Sequence, residues 1–210
     1  MKYFVAALVA SAGIATIGNV AEAASFTLDS YSVDLNDTDP GLVVNWAPIL
    51  GSPTAFDLAV GESFYTGLFS IWTDETTVNA GEDQAPKPIS VNFNFSLPDA
   101  FGGSVTGNTG GYRVLGGLFQ GGAVEWDGPS VFSFGNGGQL AVSLFDATFN
   151  QGFLGLKEGE KYGATVKAKF TLISDSIPEP EDVPEPMALL GLGLVGASLV
   201  AHKRSRQGAA

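Results

Sequence analysis

Two carboxylates on either side of one tryptophan are the residues of this chain best spaced for hydrolytic chemistry. Glu125 and Asp127 flank Trp126, and residues two apart on a β-strand project from the same face. Glycoside hydrolases use such a pair, one carboxyl group as the acid and the other in its ionised form. In the alternative interpretation, Glu125 is a solvated strand residue and Asp127 begins the turn Asp127-Gly128-Pro129. We adopt this alternative, and therefore predict no catalytic residue and no enzymatic activity.

An acidic stretch near the start of the chain carries oxygen ligands of the kind that calcium prefers. Thr38 breaks the D-x-[DN]-x-[DN]-G pattern of an EF-hand loop, so an Asx-type turn is the competing interpretation. We predict no cofactor, with calcium as the one candidate. The candidate ligands are Asp34, Asn36, Asp37 and Asp39. A second acidic loop has the same two interpretations and contains Asp74, Glu75, Glu82 and Asp83.

Tryptophan rings are the candidate stacking surfaces for a sugar. A sugar-binding face needs rings grouped on one surface beside hydrogen-bonding groups. The chain also has 15 phenylalanines, and most aromatic residues of such a chain belong to the core. The candidate stacking residues are Trp46, Trp72 and Trp126.

Composition excludes several other classes of site. The chain has 210 residues, no cysteine and a single histidine, His202, which excludes disulfides, thiol catalysis, thiolate metal sites and multi-histidine metal centres. A formal net charge of −12 and a pI near 4.2 argue against nucleic acid as a partner, because binding to phosphates needs a basic surface. Residues 24–182 contain 20 acidic and 6 basic residues, a net charge of −14. This charge favours solubility and makes divalent cations plausible weak partners.

The middle of the chain has the period-two pattern of antiparallel β-strands. Residues 89–97 read ISVNFNFSL, with apolar side chains on one face and serine and asparagine on the other. Residues 139–145 and 164–173 alternate in the same way. Turn signals separate eight to ten such short segments, so we predict an all-β fold, an antiparallel β-sandwich or jelly roll, over residues 24–175.

Glycine is concentrated in one part of this domain. Residues 102–138 contain 13 glycines, which we expect at tight hairpin turns and bulges. Only short strands are predicted there, at 112–115, 123–126 and 130–134. The glycines keep no nine-residue period, so a calcium β-roll is not predicted.

Residues 1–23 have the pattern of a secretory signal peptide. Lys2 precedes an uncharged apolar stretch that extends to Ile17, and the small residues Ala21 and Ala23 fit the minus-three and minus-one positions of the cleavage site. Signal peptidase is therefore a predicted partner. The mature protein is predicted to work outside the cytoplasm.

The C-terminal part of the chain contains a spacer and an apolar segment. Residues 176–186 are rich in proline and acidic residues and form an extended linker. Within residues 187–210, the uncharged run 187–201 would span about 22 Å as a helix, whereas the hydrocarbon core is about 30 Å thick. We therefore predict a short transmembrane helix that holds the protein temporarily, with its C-terminus in the cytoplasm. The basic residues that follow this helix and end the membrane segment are Lys203, Arg204 and Arg206.

This arrangement resembles the sorting signal of PEP-CTERM proteins. The resemblance covers about the last 28 residues and comprises the tripeptide motif, the apolar run and the basic tail in that order. It implies recognition by an exosortase, a membrane cysteine transpeptidase that cuts near the motif, in a Gram-negative bacterium that makes exopolysaccharide or biofilm. A second copy, Pro178-Glu179-Pro180, lies further from the apolar run. The motif residues are therefore Val183, Pro184, Glu185 and Pro186.

These observations predict an exported, non-enzymatic β-sandwich protein. It is expected to be held transiently in the inner membrane and then to reside at the cell surface or in the extracellular matrix. One alternative is a carbohydrate-binding module for exopolysaccharide. The other is a glycan hydrolase that uses carboxylates.

Overall fold

The computed structural model describes residues 23–177, which form an all-β, antiparallel structure. The compact unit that ends at Ser176 contains nearly all of them. This part of the chain has no α-helix, and its two 3₁₀ turns are Leu115–Gly117 and Glu160–Tyr162. Its strands are β1 (Ala24–Asp34), β2 (Asn45–Pro48), β3 (Thr54–Leu58), β4 (Ser63–Trp72), β5 (Lys87–Leu97), β6 (Phe101–Val114), β7 (Phe119–Trp126), β8 (Ser130–Phe134), β9 (Gly138–Leu144), β10 (Ala147–Phe153) and β11 (Ala164–Ser174).

The strands form two sheets. One has six strands in the order β10-β7-β6-β5-β1-β3, and the other has five in the order β2-β4-β11-β9-β8. Every pairing between neighbouring strands is antiparallel. The all-β, antiparallel prediction is therefore confirmed.

The three strands with the clearest alternation form where the sequence predicts them. Residues 89–97 lie in β5, residues 139–145 overlap β9, and residues 164–173 lie in β11. On β5 the apolar side chains from Ile89 to Phe95 are buried, while the serine and asparagine side chains between them are more exposed. One face of each strand thus belongs to the core and the other meets solvent.

The buried faces of the two sheets share one core that is rich in phenylalanine. Phe26 of β1 packs edge-on against Phe134 of β8, with ring centroids 5.3 Å apart. Phe93 of β5 packs in the same manner against Phe170 of β11 at 5.9 Å. Edge-to-face pairs at these distances are a favourable arrangement of aromatic rings. The hydroxyl of Tyr31 on β1 adds a polar link, because it donates to the carbonyl of Leu68 on β4 at 2.6 Å.

The expectation that glycines of the 102–138 region serve turns and bulges is wrong for many of them. β6 is a 14-residue strand with glycine at five positions, and glycines continue into β7. A Cβ atom at Gly103 would overlap the ring of Phe132, and one at Gly122 would overlap the ring of Phe149. These glycines make room for large aromatic side chains of the core. The turn interpretation holds at Gly135 and Gly137, which lie in the turn between β8 and β9 and have φ angles of +47° and +85°.

Several predicted features lie outside the described residues. These are the signal peptide up to residue 22, the linker from residue 178 with the sorting motif at 183–186, the short transmembrane helix predicted at 187–201 and the basic residues Lys203, Arg204 and Arg206. Ala23 is described and precedes β1 directly. Between residues 23 and 177, no helix has the length and apolar character needed to cross a membrane.

Candidate functional site

A groove of about 540 Å³ crosses the solvent-facing side of the six-stranded sheet. It passes over β1, β5 and β6 and reaches the residue that follows β7. We call it the polar groove, because six of its ten lining residues carry hydroxyl, amide or carboxyl groups. Its polar lining residues are Asp34, Asn36, Ser90, Thr106, Asn108 and Asp127.

Strand register places these side chains in a row. Asp34 pairs with Ser90 across β1 and β5, and Ser90 pairs with Thr106 across β5 and β6. The Thr106 hydroxyl donates to Oδ2 of Asp127 at 2.7 Å, and the Asp127 amide donates to the Thr106 carbonyl at 3.0 Å. With strands about 4.8 Å apart, the row from Asp34 to Asp127 is about 14 Å long.

Neighbouring rows on the same face are also polar. Nδ2 of Asn92 donates to Oδ2 of Asp34 at 2.9 Å. In the next rows, Nδ2 of Asn94 contacts the Ser30 hydroxyl at 3.3 Å, and the Ser96 hydroxyl donates to Asp29 at 2.8 Å. The face therefore offers many hydrogen-bond donors and acceptors, and its formal charges are negative.

A second groove, of about 240 Å³, adjoins the polar groove and shares Asn108 with it. Gln84, Tyr112 and Glu125 line this second groove. The Tyr112 side chain lies against Gly121, where a Cβ atom would overlap the phenol. Partial burial raises the pKa of the Tyr112 hydroxyl above its usual value, so this group remains a neutral donor.

Glu125 and Asp127 occupy neighbouring grooves, both with exposed side chains. Asp127 lies just past the end of β7 and is held by Thr106. Residues 127–129 form an irregular connection from β7 to β8 of the other sheet. That neither acid is catalytic stays a prediction.

The calcium candidates are distributed over the end of β1 and the loop after it. Asn36 closes this loop. Its side-chain Nδ2 donates to the Leu42 carbonyl at 3.1 Å, and its backbone carbonyl accepts the Val44 amide at 3.0 Å. Asp37 and Asp39 are exposed in the same loop. Among residues 23–177, no three carboxylate or histidine side chains lie close enough together to hold a metal ion. Calcium binding by Asp34, Asn36, Asp37 and Asp39 stays a prediction.

The three tryptophans do not form one stacking surface. Trp46 pairs with Ile71 across β2 and β4 and packs edge-on against Phe69 at 6.0 Å. Trp126 is half-buried against the core. Trp72 follows Ile71 on β4, so it projects from the opposite face of that strand. Sugar stacking on these rings would therefore use separate sites.

The structure also brings together two residues of the second acidic loop, Glu75 and Asp83. Asp83 is 1% exposed and its Oδ2 accepts the Asn79 amide at 2.5 Å. The Glu75 carboxylate lies near Asp83, and its Oε1 accepts the Val43 amide at 2.7 Å. Burial raises the pKa of Glu75; the Val43 hydrogen bond opposes this, and the nearby carboxylates of Asp83 and Asp39 raise the pKa further. Acidic composition marked this loop in the sequence, but nothing in the sequence indicated that Asp83 is buried or that Glu75 lies beside it.

We expect Glu75 to make the folded unit less stable as the pH rises through the interval above its usual pKa of 4.5. Since the folded-state pKa is above the usual 4.5, the folded protein binds more protons than the unfolded chain in this interval. The stabilisation is complete below the unfolded pKa and is lost as the pH rises through the folded pKa. Glu75→Gln keeps a neutral hydrogen-bonding group and should flatten the dependence of Tm on pH.

Thermal unfolding followed by circular dichroism across this pH interval measures the effect. Glu82→Gln is the matched control, because Glu82 is an exposed acid of the same loop. The control should show the same dependence of Tm on pH as the wild type. If Tm of Glu75→Gln also depended on pH as in the wild type, Glu75 would not be the group responsible.

Comparison with known proteins finds no relative. No family model matches the chain, and no match occurs among curated proteins or solved structures. A function can therefore be argued only from the residues and geometry of this chain.

Proposed function

We propose that this chain is an exported, non-enzymatic β-sandwich protein of the cell surface or extracellular matrix of a Gram-negative bacterium. An exosortase would sort it after transient anchoring in the inner membrane. The observation that carries this proposal is the order of features at the C-terminus: the motif at 184–186, the apolar run 187–201 and the basic residues 203–206. Two antiparallel sheets that share a core through their buried faces support the sandwich architecture.

The limits of the folded unit are compatible with removal of both ends. β1 begins at Ala24, directly after the predicted cleavage site, and Ala24 already pairs with Leu58. β11 ends at Ser174, before the proline-rich spacer. Cleavage after Ala23 and near the motif would leave every strand of the unit intact.

Cell fractionation in the native host tests the sorting proposal. The wild-type protein should be found in the outer envelope or the medium. A variant with Pro184, Glu185 and Pro186 changed to alanine should accumulate in the inner membrane. Identical distribution of the two proteins would contradict sorting through this motif.

The polar groove favours a second candidate function, which is binding of hydroxyl-rich exopolysaccharide. Polysaccharides present closely spaced hydroxyl groups, and the groove presents a row of hydroxyl and carboxyl groups about 14 Å long. The row is built on strands of the sheet, which hold its donors and acceptors in fixed positions. The net negative charge of residues 24–182 favours a polysaccharide that is not itself acidic.

Asn108→Ala should weaken retention on the host exopolysaccharide by about fivefold, because Asn108 lines both grooves and a lost hydrogen bond costs about 1 kcal/mol. Affinity electrophoresis in gels that contain the polysaccharide measures this change. Gln139→Ala is the control, because Gln139 is an exposed amide on β9 of the other sheet. Equal retention of Asn108→Ala and wild type, or no retention of either, would count against groove binding.

A further inference from the structure

Six large apolar side chains are exposed together at one end of the six-stranded sheet. They lie where β6 turns into β7 and where β10 ends. Their exposed fractions range from 42% for Leu118 to 69% for Leu115. We call this surface the apolar tip, and its residues are Val114, Leu115, Leu118, Phe119, Phe153 and Leu154.

Backbone pairing makes the apolar tip one continuous surface. Phe119 pairs with Val114 on β6 and with Phe153 on β10. The rings of Phe119 and Phe153 pack edge-on with centroids 5.4 Å apart. The Leu154 amide donates to the Leu118 carbonyl at 2.7 Å, which ties the end of β10 to the turn between β6 and β7.

Two leucines of the apolar tip have backbone conformations that L-residues with bulky side chains rarely adopt. Leu115 has a φ angle of +51° and Leu154 one of +62°, a region that favours glycine. Both side chains are mostly exposed, at 69% and 65%, so burial in the core does not compensate for the strain. Strained residues of this kind occur at functional sites, which points to a role for the leucine side chains outside the fold.

Charge around the apolar tip differs from that of the rest of the chain. The chain contains 22 acidic residues, yet residues 100–124 and 147–157 contain none. Arg113 precedes the tip, and its guanidinium lies against Gly117 in the turn. Lys157 follows the Phe153-Leu154 pair by three residues. Lys157 is followed directly by Glu158 and its ammonium lies over the Tyr162 ring, so Arg113 is the basic residue that the structure places beside the tip, on an otherwise acidic protein.

We propose that the apolar tip docks on a lipid bilayer whose surface is anionic. Exposed leucine and phenylalanine side chains insert into the headgroup and upper acyl region, while adjacent basic side chains are attracted to anionic lipids. Two copies of the tip in contact would bring two Arg113 side chains together, so charge complementarity favours a lipid surface over a second copy. This docking is independent of the sorting signal and of the polar groove.

The tip faces away from the ends of the described chain. Phe95 of β5 pairs with Phe101 at the start of β6, whereas Val114 is at the far end of β6. The start of β1 lies at the same end of the sheet as Phe101, since Thr27 pairs with Leu97. The tip is thus free to approach a surface without interference from residue 24.

Vesicle co-sedimentation of residues 24–177 tests the proposal. This unit contains both sheets and the shared core, so it folds without the apolar segment at 187–201, which would itself bind lipid. The vesicles contain phosphatidylglycerol and phosphatidylethanolamine, and the comparison vesicles contain phosphatidylcholine alone. We expect sedimentation with the anionic vesicles and much less with phosphatidylcholine.

The double variant Leu115→Gly, Leu154→Gly removes both side chains and relieves the positive-φ strain, so its Tm should remain close to that of the wild type. Its apparent affinity for anionic vesicles should fall at least tenfold (~1.4 kcal/mol or more). A control variant, Tyr65→Ser with Val131→Ser, removes exposed apolar side chains from the five-stranded sheet and should bind as the wild type does.

Three outcomes would overturn the proposal. The first is no sedimentation of the wild-type unit with anionic vesicles. The second is equal loss of binding in the double variant and the control. The third is concentration-dependent dimerisation, measured by sedimentation velocity, that the leucine substitutions abolish while vesicle binding is unaffected; the tip would then be a contact between two copies of the chain.

Discussion

Phe170→Ala should lower the free energy of unfolding of the folded unit by about 4 kcal/mol. Phe170 is fully buried on β11 of the five-stranded sheet. Its ring contacts three phenylalanines of the six-stranded sheet, with centroid distances of 5.3, 5.9 and 6.1 Å to Phe56, Phe93 and Phe95. Truncation removes these contacts and leaves a cavity between the sheets, and close-packed strands relax only partly to fill it.

Urea unfolding at equilibrium measures this loss, and two variants calibrate it. Phe170→Leu retains most of the volume and should cost about 1.5 kcal/mol. Ile173→Ala removes an exposed side chain of the same strand and should change the stability by about 0.5 kcal/mol or less. A cost below about 1.5 kcal/mol for Phe170→Ala would show that this ring does not join the two sheets.

Asn150→Ala should destabilise the unit by a similar amount, about 4 kcal/mol. Asn150 is fully buried, and its Oδ1 accepts the Thr73 amide at 3.0 Å. Its Nδ2 donates to the carbonyls of Thr73 and Gly159 at 3.1 and 3.0 Å, and also contacts the Lys157 carbonyl. This one side chain satisfies backbone groups from two loops, and alanine would leave those groups without partners. The φ angle of +51° adds to the cost, because alanine tolerates it less well than asparagine does.

Gln151→Ala is the control for Asn150, since Gln151 is exposed and adjacent on β10. It should change the free energy of unfolding by about 0.5 kcal/mol or less. Asn150→Asp keeps the acceptor atom and loses the amide donors, so it should also be strongly destabilising. Stability of Asn150→Ala close to that of Gln151→Ala would contradict the role assigned to Asn150.

Periodicity predicted the strands that have one buried and one solvated face. In β5 and β11, buried apolar residues alternate with more exposed ones along most of the strand, which is the signal that a single sequence carries best. β6 carries no such signal because glycine occupies several of its positions. Its glycines accommodate Phe132 and Val78 from other parts of the chain, and a contact between distant residues leaves no local pattern.

The candidate site was predictable in its residue types but not in its assembly. Asp34 is a candidate calcium ligand and Asp127 a candidate hydrolytic carboxylate, and register places them at opposite ends of one groove. Which strands are neighbours in a sheet depends on long-range pairing, which alternation does not encode. Asn150 gave no signal for the same reason, since its partners are backbone groups 7 to 77 residues away.

The intact mass of the protein isolated from its native host tests the central claim of export and sorting most directly. The proposal predicts a mature species that begins at Ala24 and ends near residue 184. It also predicts that this species disappears when Pro184, Glu185 and Pro186 are changed to alanine. A mass that includes the tail through Ala210 in both proteins would contradict the proposal, and the apolar run 187–201 would then be a permanent anchor.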